Sequence, residues 1–530
     1  MLKIHLYLTQ YCGLHTHTQY YNGLKNESSI ANYWARIYET EFKCNNAIDK
    51  TTLNATSQKI YTHKYPENYL TEYDVKRALK EIGNNKSAGP DKLKAEHIRY
   101  CPTGIITMIT LFFNLCISHS FLPSAMLLVN IVPIYKRKGS SLSSKNYRPI
   151  ALATVLSKLM EHCILDKFKV LLSCGDHQFG YKQKLGTELE IWAVKNVISH
   201  YRNNNSSVIG CFLDATKAFD TVLHGKLAEK LKKRNMPQPI INILIYWWQT
   251  QCFQVKWGNY FSYKFKTEMG VRQGGILRPY LFNIYMDDLG QKLRDLKIGC
   301  QIGKVMTNNF WYADDICLLA PSIRGAQKLI DVCYDYANSH NIKFNPTKTV
   351  CMLFETKRCT IRKSNIYMNQ NVLTWVTQFN YLGYMFDSAS KQQDKCEIEK
   401  RLRNMRIMGN VIATRFRHTS DSVKKILFST YFSNLYCMPL WIMSAKMLKT
   451  AQVAHNDCFR ALFKIRGAHS ISELFQNYEL PNFKSILKSS VNSLITRLKS
   501  NDNDIVSAIV NCNSYYESDI YKSWTNIVSS

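Results

Sequence analysis

Two adjacent carboxylates, Asp314-Asp315, stand between two apolar runs. Asn309-Phe310-Trp311 leads into Tyr312-Ala313 before them, and Ile316-Cys317-Leu318-Leu319-Ala320 comes after them. The pattern predicts two strands with the acids at the tight turn between them. A hairpin tip holds the carboxylates close together, and two like charges that close are costly unless a cation neutralises them. A divalent metal is the natural partner, and a metal pair at such a tip points to phosphoryl-transfer chemistry. Asp-Asp also occurs at turns and helix starts, where it is solvated or caps a helix. The pair therefore takes its meaning from the residues around it in the chain.

A third carboxylate fits the same logic. Val208-Ile209-Gly210-Cys211-Phe212-Leu213 reads as an apolar strand ending on Asp214, with Ala215-Thr216-Lys217-Ala218-Phe219-Asp220 after it. A two-metal polymerase site needs carboxylates from separate strands converging on one point. Asp214 and Asp314-Asp315 meet that need if their strands are neighbours. The plainer readings are a strand-end turn for Asp214 and a helix N-cap for Asp220. Further along, Gly274-Gly275 permits close backbone approach to a ligand, and Leu277, Leu281, Ile284 and Leu289 predict a helix.

In order, the strings NNKSAGPDKLKAEHI, NYRPIALATVLSKLMEH, HQFGYKQKLGTELEIWAV, FLDATKAFDTVLH, GVRQGGILRPYLFNIYMDDL, YADDICLLAPS, NIKFNPTKTVCMLF and FNYLGYMFD run from about Asn84 to Asp387. They resemble the reverse transcriptases of the non-LTR (LINE-type) retrotransposon family. The resemblance implies an α+β, right-hand polymerase fold. Its fingers and palm lie in one reverse transcriptase domain, with the catalytic β-hairpin on an antiparallel palm sheet and a helical thumb beyond. It implies an RNA-directed DNA polymerase that adds dNTPs to a primer 3′-hydroxyl, with an RNA template, a DNA primer and two Mg²⁺ ions, or Mn²⁺ in their place. By the same resemblance Asp214, Asp314 and Asp315 are the catalytic and metal-binding residues. Phe219 is the steric gate against a ribonucleotide 2′-hydroxyl. Gln273 and Gly274 wall the nucleotide site, and Arg148 is the finger arginine on the triphosphate. Lys182 is a second phosphate or template contact. Lys348 occupies the place of a general acid for pyrophosphate. Tyr381-Leu382-Gly383 resembles the primer-grip turn, with Gly383 permitting the bend. Four positions depart from the family's pattern: Lys92 stands for its Gly, Tyr181-Lys182 for its Phe-Arg, and Arg278 for its Ser. Tyr285-Met286-Asp287-Asp288 spells the retroviral active-site tetrapeptide. Here it lies in the predicted helix and lacks a strand on its far side, so it reads as a solvated helix face.

The chain has 530 residues, and Lys and Arg total 69 against 39 acids, for a net charge of +30. That balance points to a polyanionic partner, nucleic acid or an anionic membrane. Seventeen cysteines without a Cys-x-x-Cys pair suggest reduced thiols in an intracellular protein, and the resemblance implies the nucleus and a cytoplasmic ribonucleoprotein. The amino terminus lacks a signal-peptide cleavage site, and the apolar stretch Ile105 to Ile117 is shorter than the ~20 residues a membrane helix needs. A buried helix is expected there, and no membrane partner. The expected organisation is a polar and helical extension over 1–65, a pre-finger segment over 66–117 and the reverse transcriptase domain over 118–386. A helical thumb and carboxy-terminal extension occupies 387–530, with a basic face from Lys400-Arg401, Arg403, Arg415, Arg417 and Lys424-Lys425. Within the first part an amphipathic helix is expected around Ile30 to Phe42, and Asp91 is expected to cap the helix after Gly89-Pro90. The ~65 leading residues are too few for the endonuclease of an autonomous element. That leaves a truncated copy, a fragment or a domesticated gene. Two other functions stay open: a catalytically dead nucleic-acid-binding remnant, and an intron maturase.

Overall fold

The structure, a computed structural model, describes residues 24–529 except 25, 45, 58–68, 138, 357–360, 389–393 and 466–469. It is an α+β fold organised around a five-stranded sheet. Its order is Thr374–Trp375, Val350–Phe354, Val208–Leu213, Asp315–Ala320, Asn309–Tyr312. Val208–Leu213 is buried along its whole length, as a near-continuous apolar run requires when both faces of a strand are covered. It pairs antiparallel with both neighbours. The short Thr374–Trp375 strand at the edge pairs parallel.

Alternation along these strands sorts side chains onto two cores. Ile209, Cys211, Leu213, Ile316 and Leu318 face a core with Leu281, Ile284, Leu289, Leu329 and Cys333, from the helices Arg278–Asp295 and Ile323–Ser339. Val208, Phe212, Cys317, Leu319 and Met352 face the other way, onto the helix Thr187–Asn203 and the carboxy-terminal helices. The expected helix bearing Leu277, Leu281, Ile284 and Leu289 thus forms, and all four side chains are buried.

A second sheet stands beside the first. Leu128–Tyr135 pairs antiparallel with Tyr147–Leu152 and parallel with Cys252–Trp257. The expected amphipathic helix runs Glu27–Glu41, capped by Asn26. It lays Trp34 against Tyr147, with ring centroids 4.8 Å apart, closing a third core.

Two expectations need correction. The helix Gly104–His119 is buried on one face only, through Ile106, Ile109, Phe113 and Ile117, while Met108 and Leu111 are exposed. Asp91 does not cap the next helix: it accepts from the Leu93 N–H at 3.2 Å, whereas the helix Ala95–Arg99 begins after Lys94. Asp91 therefore closes a turn.

After the hairpin Gln378–Tyr381/Tyr384–Asp387, the described chain is helical to its end. Lys395–Arg415 packs against Ala445–Phe463. Arg403, Arg415 and Arg417 are exposed, whereas Lys400 and Arg401 pair with the buried Glu397 and Lys424 with Asp421. The described cysteines are all unpaired. Among the described residues no helix is long and apolar enough to cross a membrane.

Candidate active site

Asn309–Tyr312 and Asp315–Ala320 form a hairpin in which Tyr312 pairs with Asp315, leaving Ala313 and Asp314 as the turn. Ala313 is left-handed, with φ 58°. An alanine is held there because its N–H is tied down: the Gln178 side-chain carbonyl accepts from Ala313 N at 3.0 Å and from Gly180 N at 2.8 Å. The segment around Gln178 runs alongside the hairpin, with Phe179 N donating to Trp311 O at 2.7 Å and Trp311 N to His177 O at 2.9 Å. A side chain at Gly180 would reach within 2.7 Å of Ala313 N, so only glycine permits that approach.

Ile316 pairs with Leu213 on the neighbouring strand, so the next step of the register brings Asp214 beside Asp315. The two strands thus deliver the three carboxylates to one end of the sheet. Asp315 opens to solvent on one side. Even so, lost hydration and then the charges of Asp314 and Asp214 push its carboxyl up to about 7. Burial also raises Asp314, with Arg278 opposing and Asp214 and Asp220 adding to the rise. Such mutual elevation is what clustered carboxylates show when no cation compensates them. An all-oxygen set suits a hard divalent ion. Among the described residues, though, no three acidic, His or Cys side chains are already closed around one point to hold a metal. A cation already touches the set: Lys348 Nζ lies 3.6 Å from Asp214 Oδ2, with both side chains substantially exposed.

Asp220 is a fourth acid here, although its place in the sequence suggests only a cap. It ends a 3-10 turn, Ala218–Asp220, and accepts from Gln273 Nε2 at 3.2 and 3.3 Å. Burial raises its carboxyl, opposed by Arg278 and Gln273. Gln273 O accepts from Ala151 N at 2.9 Å, stitching this loop to the second sheet. Gly274 has φ 99°, and a Cβ there would lie 2.7 Å from Ala151 O. Glu161 fastens the loop's other side, pairing with Arg272 at 2.7 Å and accepting from Ile276 N at 2.9 Å.

Phe219 is half-buried, stacked on Phe282 with centroids 4.1 Å apart. Arg148 is exposed on the second sheet, opposite Ile134. Burial depresses the nearby Lys136 ammonium, as do the positive charges of Arg148, Lys217 and Lys348, while Asp220 opposes them. Four cations from separate segments therefore lie within electrostatic reach of one another, Lys217 paired with Glu41 at 2.6 Å and Lys348 with Asp214. Lys136 had no motif to mark it in the sequence, and Lys217 stands within FLDATKAFDTVLH without a role of its own. Lys182 lies apart from this group. It donates to Gly175 O at 3.0 Å and pairs with Asp176 at 3.2 Å, lining a cavity of about 670 Å³ with Tyr181, Lys184, Tyr280 and Asn503.

Tyr381, Leu382 and Gly383 form the turn of the last hairpin. Leu382 and Gly383 are both left-handed, at φ 49° and 83°. Tyr381 Oη donates to the fully buried Glu190 at 2.6 Å, and burial drives that carboxyl well above its usual range. Leu382 O accepts from Tyr436 Oη at 2.6 Å, and Gly383 O from Arg401 and Lys400.

Asp287 and Asp288 do lie in the helix Arg278–Asp295, and Asp288 is exposed as expected, but Asp287 is largely covered. Asp287 accepts from Gly175 N at 2.7 Å and pairs with Arg234 and His177, and Asp288 pairs with Lys230. The signal missed was Lys230-x-x-x-Arg234, basic residues one helical turn apart on a neighbouring helix.

Residues 134–386 match the family model described as "Reverse transcriptase (RNA-dependent DNA polymerase)". They form a reverse transcriptase domain. The domain is of the non-LTR retrotransposon type. The chain is similar to the "Probable RNA-directed DNA polymerase from transposon BS" of Drosophila melanogaster, 27% identical over 84% of this chain and 51% of that protein. It is similar also to the "RNA-directed DNA polymerase from mobile element jockey" of the same organism, 26% identical over 61% of this chain and 36% of that protein. Among solved structures, a telomerase of Candida albicans in complex with a fragment of telomeric RNA is similar at a TM-score of 0.41 and 11% identity, over 77% of this chain and 65% of that one. The chain spans about half the length of the first of these relatives and about a third of the second. The reverse transcriptase domain includes the hairpin, Asp214, the Gln273–Gly274 loop and the Tyr381–Gly383 turn.

Proposed function

We propose that this chain extends a DNA primer on an RNA template by adding dNTPs, with Asp214, Asp314 and Asp315 holding two Mg²⁺ ions, or Mn²⁺ in their place. The observation that carries the reading is the register that brings Asp214 beside Asp315, together with the elevation of both hairpin carboxyls. Bound metal would lower the barrier by activating the primer hydroxyl and neutralising charge on the leaving pyrophosphate. The chain's own residues do the rest. Arg148, Lys136 and Lys217 draw the triphosphate towards the acids, the guanidinium fork suiting phosphate oxygens. Lys348, beside Asp214, supplies a proton to pyrophosphate. Gln273 and Gly274 wall the nucleotide, and Phe219 excludes a 2′-hydroxyl. Lys182 serves as a template contact away from the phosphates, and the Tyr381–Gly383 turn seats the primer. In this reading residues 1–65 are an extension, 66–117 a pre-finger segment and 118–386 fingers and palm. Residues 387–530 are the thumb and carboxy-terminal extension. The working location is the nucleus and a cytoplasmic ribonucleoprotein.

The test is extension of oligo(dT) on poly(rA) with dTTP and Mg²⁺. Wild type and an Asp287→Asn, Asp288→Asn double variant should extend the primer, while Asp314→Ala, Asp315→Ala should lose at least about 10³-fold, as removal of a metal-holding pair does. A folded wild type that binds the duplex without extending it would instead identify a nucleic-acid-binding remnant.

A further inference from the structure

Phe219 is held from both sides. One face stacks on Phe282, with ring centroids 4.1 Å apart and planes at 26°. The guanidinium carbon of Arg278 stands 4.2 Å from the same Phe219 centroid. Two groups that near one centroid cannot share a face, so Arg278 covers the face that Phe282 leaves. The guanidinium reaches Asp220 at 4.0 Å, and its charge acts on Asp314. Its Nε is buried and has no hydrogen-bond partner. Arg278 also opens the helix Arg278–Asp295, the end at which the helix dipole disfavours a cation. A cation thus occupies a costly place with one donor unsatisfied, and its closest stacking partner is the Phe219 ring.

We propose that Arg278 is a specificity-determining residue: it clamps Phe219 against Phe282, so that the ring cannot tilt aside for a sugar carrying a 2′-hydroxyl. The inference rests on the reading of Phe219 as the sugar gate. Arg suits the task because its planar cation covers an aromatic face, which neither serine nor the point charge of lysine does.

The experiment is equilibrium binding of dATP and ATP, which differ only at the 2′ position. The full chain is loaded with an RNA template and a dideoxy-terminated DNA primer, so no turnover is needed. Wild type should prefer dATP. Arg278→Ser should narrow that preference by about 5- to 30-fold, the range of a partly desolvated cation–π contact. It should do so by tightening ATP, with dATP affinity nearly unchanged. Arg278→Lys should narrow it in the same direction. Phe219→Ala should narrow it at least as far, and the double variant should go no further. An unchanged ratio in Arg278→Ser beside a collapsed ratio in Phe219→Ala would leave the gate standing and overturn the clamp. An unchanged ratio in Phe219→Ala would overturn the gate and the clamp with it. Equal weakening of both nucleotides in Arg278→Ser would mark a phosphate contact and overturn the clamp. So would a folded wild type that binds the two nucleotides alike or binds neither.

Discussion

At the scale of single residues, the site is governed by charge crowding. Asp315, pushed up to about 7, binds a proton in the folded chain through a pH range in which the unfolded chain has already lost it. The folded state therefore holds more protons between roughly pH 4 and 7, and stability falls as pH rises through that window. Thermal melting of the metal-free protein should show Tm dropping from pH 5.5 to 8, with a shallower slope in Asp315→Asn. An identical slope in the variant would mean that Asp315 ionises like a free carboxylate. That the three carboxylates would meet at one end of a sheet was legible because each ends or joins an apolar run that reads as a strand. The raised carboxyls of the hairpin pair, and the Gln178 clasp on Ala313, were not, because both depend on segments far apart in sequence.

At the scale of elements, the turns show how well local pattern works and where it stops. The hairpin bearing Asp314, the helix after the double glycine and the amphipathic helix near the start are all expected from apolar periodicity, and all form. Lys92 shows a rule broken. It stands where the family's pattern has glycine, and the backbone there is left-handed, with φ 59°. A side chain in that conformation is strained, and glycine is not. Lys92→Gly should stabilise the chain by about 0.5–1 kcal/mol, read as a higher urea midpoint at unchanged m-value. A destabilised variant would show that the lysine side chain holds the loop through contacts of its own. The exposed side of Gly104–His119 and the ion pairs of Asp287 were hidden for the opposite reason: their neighbours, not their own pattern, decide what is covered.

At the scale of the whole molecule, one buried ion pair ties the sheet to the carboxy-terminal helices. Lys195, on the helix behind the sheet, donates to Asp394 at 2.7 and 2.8 Å, to Leu440 O at 2.8 Å and to Tyr384 Oη at 3.0 Å. Asp394 also accepts from Ile442 N at 2.8 Å. Four segments meet at one ammonium with almost no access to water, so removing it strands a buried carboxylate. Lys195→Met should cost about 3–5 kcal/mol in denaturant unfolding, and Asp394→Leu added to it should recover part of that loss. A Lys195→Met chain as stable as wild type would mean that the two regions are joined chiefly by apolar packing. Neither partner announces the pair in the sequence, because nearly 200 residues separate them.

If Asp214 holds a divalent ion as proposed, its contact with Lys348 makes metal loading an exchange and not a filling. A divalent ion arriving at Asp214 must evict an ammonium already resting there, so its apparent affinity is the difference between two attractions. An exposed pair of this kind is worth only about 0.2–1 kcal/mol. Lys348→Met should therefore tighten Mg²⁺ binding by about 1.4- to 5-fold in calorimetric titration, and an unaltered affinity would show the two cations to be independent. On the proposed reading the same eviction would set the lysine free as the metal arrives, so that a proton donor would be released by the event that prepares the site for its substrate.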